Sequence, residues 1–175
     1  MNLLKDEELM LLALNGNLDA MKHLFERYNV KIFNYCLKMT GDRQISQDIT
    51  QEVFYKMIKS RRTFNNNKFS PWIYTIAKNL CYDHFKTKKN NEIVIDEHIL
   101  NIPDEYQNER DDSDIKSLDK ALNKLSVDER ELIVLSKFQK LKYHEIGEIL
   151  GATEGAIKTK IHRALKKLKQ HYFEK

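Results

Sequence analysis

The chain has 175 residues, room for one domain or two small ones, with 32% charged residues and a formal net charge of +4 at pH 7. Its mean hydropathy of −0.63 and the lack of any apolar run near the roughly 18 residues that span a bilayer leave no transmembrane helix. The opening MNLLKDEELMLLALNGN carries acids where a secretion signal carries cations, so a cytoplasmic location is expected.

The charge is unevenly spread. Residues 1–89 hold 15 Lys and Arg against 9 Asp and Glu, residues 90–119 hold 2 against 10, and residues 120–175 hold 13 against 7, giving +6, −8 and +6. Two basic blocks joined by an acidic connector suit two nucleic-acid-binding domains whose linker avoids the same polyanion. Glycine and proline are scarce, at 5 and 2, and no window alternates with period two. The expected fold is therefore all-α. The run Ile93-Val94-Ile95 looks extended but is too short to found a sheet.

A first helix spans residues 6–14 and ends at Asn15-Gly16-Asn17. A long second one covers 18–39, with Met21, Leu24, Phe25, Tyr28, Ile32, Tyr35, Cys36 and Met39 on its apolar face, and stops at Thr40-Gly41. Asp42 can cap a third, from 43 to about 61, whose core stripe is Ile45, Ile49, Val53 and Met57. Its other face, with Gln44, Gln47, Asp48, Gln51, Glu52 and Tyr55, is polar and mildly acidic. That face suits a protein partner, or an ordinary solvated surface. Cys36 and Cys81 each sit in an apolar helical pattern, outside any CxxC or Cys/His cluster, so buried reduced thiols are expected and neither a metal nor a cofactor is indicated.

The fourth helical stretch is FNNNKFSPWIYTIAKNLCYDHFKTKK, residues 64–89. Phe64 and Phe69 bracket a polar loop, and Ser70-Pro71 reads as an N-cap followed by proline at the first helical position. Ile73, Ile76, Ala77, Leu80 and His84 share one stripe, expected to be buried. Thr75, Lys78, Asn79, Tyr82, Lys86 and Lys89 form a second, with Trp72 and Tyr74 beside its start. Aromatics among cations suit unstacked bases, each stack contributing about 1–3 kcal/mol. Aromatics at helical spacing equally suit a core face.

Residues 90–117 lose helical periodicity, contain Pro103 and the acids Asp111, Asp112 and Asp114, and read as a flexible acidic linker able to reach roughly 50 Å or more. A second helical domain, 118–175, opens with a helix over 118–125. Ser126 to Glu129 looks like a capping box before a helix over 131–138. In LKYHEIGEILGATEGAIKTKIHRALKKLK, the residues Ile146, Gly147, Leu150, Gly151, Ala152 and Ile157 fit a helix-turn-helix: apolar contacts, a small residue at the crossing and glycine at the turn. Thr153 is expected to cap the second helix, whose exposed side presents Glu154, Gly155, Lys158, Thr159, His162 and Arg163 to a major groove. Lys166, Lys167 and Lys169 continue it. No Ser/His/Asp set, HExxH or phosphate-cradling glycine loop is present, so no catalytic residue is expected.

In this order the motifs resemble the extracytoplasmic-function (ECF) sigma factors of the bacterial sigma-70 family. LFERYNVKIFNYCLKMTGDRQISQDITQEVF resembles the core-polymerase-binding segment, FSPWIYTIAKNLCYDHFK the helix that melts and reads the −10 element, and LSVDERELIVLSKFQKLKYHEIGEILGATEGAIKTKIHRALKKL the −35-reading domain. The resemblance implies that Asp48, Gln51, Glu52 and Phe54 support or form the surface on the clamp helices of the largest polymerase subunit. It implies that Asn65, Asn66, Asn67, Lys68 and Phe69 form the loop receiving a flipped −10 base, and that Trp72, Tyr74, Lys78, Asn79 and Lys86 hold the non-template strand. Lys158, Thr159, His162 and Arg163, with Glu154, would lie in the −35 groove. The implied partners are core RNA polymerase, including its flap, promoter DNA both double- and single-stranded, and an anti-sigma factor. Gly147 departs from the alanine common there, an expected cost to the helix of up to about 1 kcal/mol. A stand-alone helix-turn-helix regulator is the competing reading.

Overall fold

The structure is a computed structural model and describes residues 1–65, 67–91 and 112–174. Every regular element among these is helical, and the chain divides into two compact units, Met1–Leu100 and Asn101–Lys175. Most of the expected linker, with Ile93-Val94-Ile95 and Pro103, lies outside the described residues, as does Asn66 of the loop.

The first unit contains α1 (Asp6–Leu14), α2 (Leu18–Thr40), α3 (Arg43–Lys59), a 3-10 turn (Arg61–Thr63) and α4 (Phe69–Asn91). Its boundaries follow local chemistry. Asn17 caps α2 by accepting from the Ala20 N–H at 3.0 Å, and Gly41 ends it at φ 69°, a left-handed conformation that glycine adopts without a Cβ penalty. Asp42 then caps α3, accepting from the Ile45 N–H at 2.9 Å.

Leu24, Ile32, Tyr35, Met39, Val53 and Ile73 are among the side chains that fill the core. Cys36 and Cys81 meet inside it, their sulfurs 3.9 Å apart, as free buried thiols. Three residues depart from the expected apolar faces: Phe25 of α2 is 46% exposed, and Met21 and Ile45 are only half-buried.

In α4 the expected buried stripe is displaced. Phe69, Ile73, Tyr74, Ala77 and Cys81 are buried, whereas Ile76, Leu80 and His84 are only partly so. The cause is tertiary: α4 packs on α1, α2 and α3 together, and Tyr74 meets Tyr35 of α2 edge to face, centroids 5.7 Å apart. The helix also starts at Phe69, so Ser70 lies inside its first turn instead of capping it.

The second unit contains α5 (Asp112–Asn123), α6 (Val127–Ile133), a π turn (Val134–Phe138), α7 (Tyr143–Leu150) and α8 (Glu154–Phe173). Helix α5 begins six residues before the expected 118, so Asp112 opens it and Asp114 lies in its first turn, where an acid complements the helix dipole. Ser126 and Glu129 form the expected capping box, each side chain bonded to the other's N–H at 3.2 Å. Arg130 reaches back to the Leu122 and Asn123 carbonyls at 3.2 and 3.3 Å, satisfying the open end of α5. Leu122, Leu125, Ile133 and Ala164 form a core, flanked by Leu118, Leu165 and Leu168.

Candidate nucleic-acid interface

On the first unit the candidate surface is built on an aromatic cluster. Phe64 and Phe69 are buried at either end of the loop, their ring centroids 6.3 Å apart, and Trp72 sits 5.5 Å from Phe64 and 5.9 Å from Phe69. Tyr28 of α2 closes the cluster edge-on to Phe69 at 5.0 Å. Trp72 is half-buried, and Asn65, Asn67 and Lys68 are exposed above this floor. Along α4, Asn79 and Lys86 are exposed, while the half-buried Lys78 holds its ammonium 6.0 Å from the Tyr82 ring centre.

Two expected contact residues are corrected here. Phe69 and Tyr74 are 0% and 1% exposed, so neither ring can stack on a base. They hold up the surface that Trp72 and the loop present.

Two side chains that the sequence motifs do not mark border this surface. Arg62 is exposed in the 3-10 turn just before the loop. Glu7 of α1 accepts the Phe69 backbone N–H at 3.0 Å. Beside it, Asp6 accepts from Arg27 at 2.6 Å and from the Tyr28 hydroxyl at 2.5 Å. Burial, reinforced by Asp6, lifts the Tyr28 phenol well above its ordinary pKa and keeps it a donor. No local pattern could have signalled Glu7, because its partner is 62 residues away.

On α3, Asp48, Gln51 and Glu52 are exposed on the expected polar face, and Gln44 donates to Asp48 at 3.1 Å. Phe54 does not share that face. It is 6% exposed and packs against Phe25 at 4.8 Å, so it supports the helix from behind.

The second unit's candidate surface is α8. Gly151 turns the chain at φ 65°, and Thr153 caps α8 by accepting from the Ala156 N–H at 3.2 Å. Ile157, Ile161 and Ala164 are buried, which leaves Glu154, Lys158, Thr159, His162 and Arg163 all exposed on the remaining sides. The Thr159 hydroxyl donates to the Gly155 carbonyl at 3.2 Å. Lys166 and Lys169 are exposed as well, whereas Lys167 is ion-paired with Glu129 of α6. Gly147 sits where α7 passes the turn: a Cβ there would lie 2.5 Å from the Ala152 carbonyl oxygen. No helix among the described residues is long and apolar enough to cross a membrane.

Comparison with known proteins finds a match within each unit. The Sigma-70 region 2 family model matches residues 24–91, and the Sigma-70, region 4 model matches residues 115–168. The ECF RNA polymerase sigma factor SigW of Bacillus subtilis is 30% identical over 171 residues, covering 89% of this chain and 90% of SigW. ECF RNA polymerase sigma factor BldN of Streptomyces coelicolor is 30% identical over 168 residues, and the match spans 92% of this chain but 63% of BldN. Among solved structures, the sigma factor RpoE in complex with the anti-sigma factor NepR from Bartonella quintana shares the fold, with a TM-score of 0.72 at 22% identity over 88% of this chain and 98% of that one. With region 2 and region 4 matched in order and SigW aligned almost end to end, the chain belongs to the ECF sigma factors of the sigma-70 family, non-catalytic initiation factors that bind RNA polymerase and promoter DNA.

Proposed function

We propose that this chain docks on core RNA polymerase through α3, reads the −35 element as duplex with α8, and holds the opened −10 element on the loop and exposed face of α4. The carrying observation is that the two units offer two different surfaces. One sets a half-buried Trp72 among exposed polar and cationic groups, a chemistry for unstacked bases. The other is a capped, solvent-facing cationic helix, a chemistry for a major groove.

Asp48, Gln51 and Glu52 meet the clamp helices of the largest subunit, with Phe54 bracing them. Asn65, Asn67 and Lys68 receive the flipped base, and Trp72, Lys78, Asn79 and Lys86 hold the non-template strand. Glu154, Lys158, Thr159, His162 and Arg163 lie in the −35 groove. The acidic segment before α5 threads the polymerase cleft, its carboxylates standing where RNA phosphates will pass, and the second unit meets the flap. RpoE is held by an anti-sigma factor, and a partner of that kind covers these surfaces in uninduced cells. The chain performs no catalysis and works in the cytoplasm with the polymerase.

Opening about ten base pairs costs on the order of 14 kcal/mol at roughly 1.4 kcal/mol per step, more than so small a protein offsets alone. Strand opening therefore needs the polymerase. Transcription in vitro from a genomic fragment library, with core polymerase and with or without this chain, tests the reading. Defined start sites that appear only when the chain is added are expected. Specific retardation of duplex by the chain alone, with no starts, would replace the proposal with a stand-alone regulator.

A further inference from the structure

Helix α1 lies upstream of the region 2 match, which begins at residue 24, yet it reaches the loop. Its placement is fixed at several points: Arg27 donates to the Leu4 and Asn2 carbonyls at 2.9 and 3.0 Å and to Asp6 at 2.6 Å, while Tyr28 donates to the other Asp6 oxygen. That leaves Glu7, the next residue, aimed at the start of α4, where Oε1 accepts the Phe69 N–H. This N–H is among the helix-terminal donors that have no partner within their own helix, and a carboxylate there also complements the helix dipole.

Phe69 is where the exposed loop residues Asn65, Asn67 and Lys68 end and the helix carrying Trp72 begins. The other end of the loop is held by the buried Phe64 ring. Holding the Phe69 backbone therefore fixes the anchor from which Lys68, Asn67 and the rest of the loop are presented beside the aromatic cluster. We infer that Glu7 is a positioning residue for −10 recognition, acting from α1 through the Phe69 backbone to hold the base-receiving loop in its reading geometry.

The inference rests on residues 65–69 being the −10 loop, and its test separates the two. The full chain is assembled with core polymerase and transcribes a promoter library randomised across the −10 element, with base preference at each position as the readout. Glu7→Ala is expected to flatten the preference about fivefold, the scale of one such hydrogen bond, with core affinity and −35 dependence unchanged. Glu7→Gln keeps an acceptor oxygen and is expected to retain the wild-type preference. Wild-type preference in E7A, whether or not total output falls, would overturn the inference, because a merely structural role lowers output without altering which base is chosen.

If E7A does not fold, Glu7→Met, similar in size but lacking the acceptor, carries the test, and failure of both to fold would overturn a positioning role in favour of a structural one. Asn65→Ala and Asn67→Ala provide the control. If neither alters base preference, the loop reading itself fails; if either does while E7A does not, only the role of Glu7 falls.

Discussion

Gly147 shows how a single missing methyl shapes the second unit. Helix propensity alone favours alanine there by up to about 1 kcal/mol. The Ala152 carbonyl, however, stands 2.5 Å from where a Cβ would lie and belongs to backbone that cannot swing aside. Gly147→Ala should therefore destabilise the second unit by about 1–3 kcal/mol, read as a lower urea midpoint, together with weaker −35 duplex binding. A midpoint equal to or above wild type would show that the turn yields.

Trp72 carries the corresponding weight in the first unit. Trp72→Ala is expected to leave core-polymerase affinity unchanged and to reduce permanganate reactivity of the promoter bubble severalfold, as the loss of one stacked base implies. An unaltered bubble would return Trp72 to the core. The caps at Asp42, Ser126 and Thr153 were legible at this scale, because they use short-range chemistry, whereas the expected cap at Ser70 was displaced by a helix that starts at Phe69. The inward turn of Tyr74 was not, since it depends on Tyr35 of another helix.

The helices themselves were legible from apolar spacing, but their ends and irregularities were only partly so. The start of α5 falls among acids that read as linker, a sign available in the sequence because Asp favours a first turn. The π turn at Val134–Phe138 gave no such sign: the pattern over 131–138 reads as ordinary helix, yet Gln139 N–H bonds the Val134 carbonyl at 2.9 Å, five residues back.

Helices α6 and α8 are tied by Glu129 and Lys167. The Lys167 bond, with the Ser126 hydrogen bonds, holds the Glu129 carboxyl below its ordinary value. A depressed carboxyl contributes stability above its unfolded pKa and loses it as pH falls through the folded one. Thermal unfolding of Glu129→Gln should thus show a deficit at pH 7 that shrinks as pH drops through and below the usual carboxylate range. A deficit independent of pH would assign the effect to the capping geometry alone.

Over the whole molecule, the charge alternation of +6, −8 and +6 makes the division into two units legible from residue counts alone. Charge predicts a salt dependence as well. Arg163→Ala, in holoenzyme, should weaken −35 binding and lower the slope of log affinity against log salt by about one unit; an unchanged slope would remove Arg163 from the phosphate contacts. What the sequence hid at this scale was the integration of α1. Its short apolar run gives no measure of how far it is built into the first unit, where Leu9, Met10 and Ala13 are at most 1% exposed and Arg27 ties the segment down from α2.

That integration makes the N-terminus a point of vulnerability. A cleavage that released α1 would strip away an internal wall of the first unit, expose the apolar sides of α2 and α4 together, and leave the Phe69 N–H unanswered. The second unit, with its own core, would survive. The two units would thus part in fate: the one that carries Trp72 and the loop would lose its packing, while the one that carries α8 would keep it.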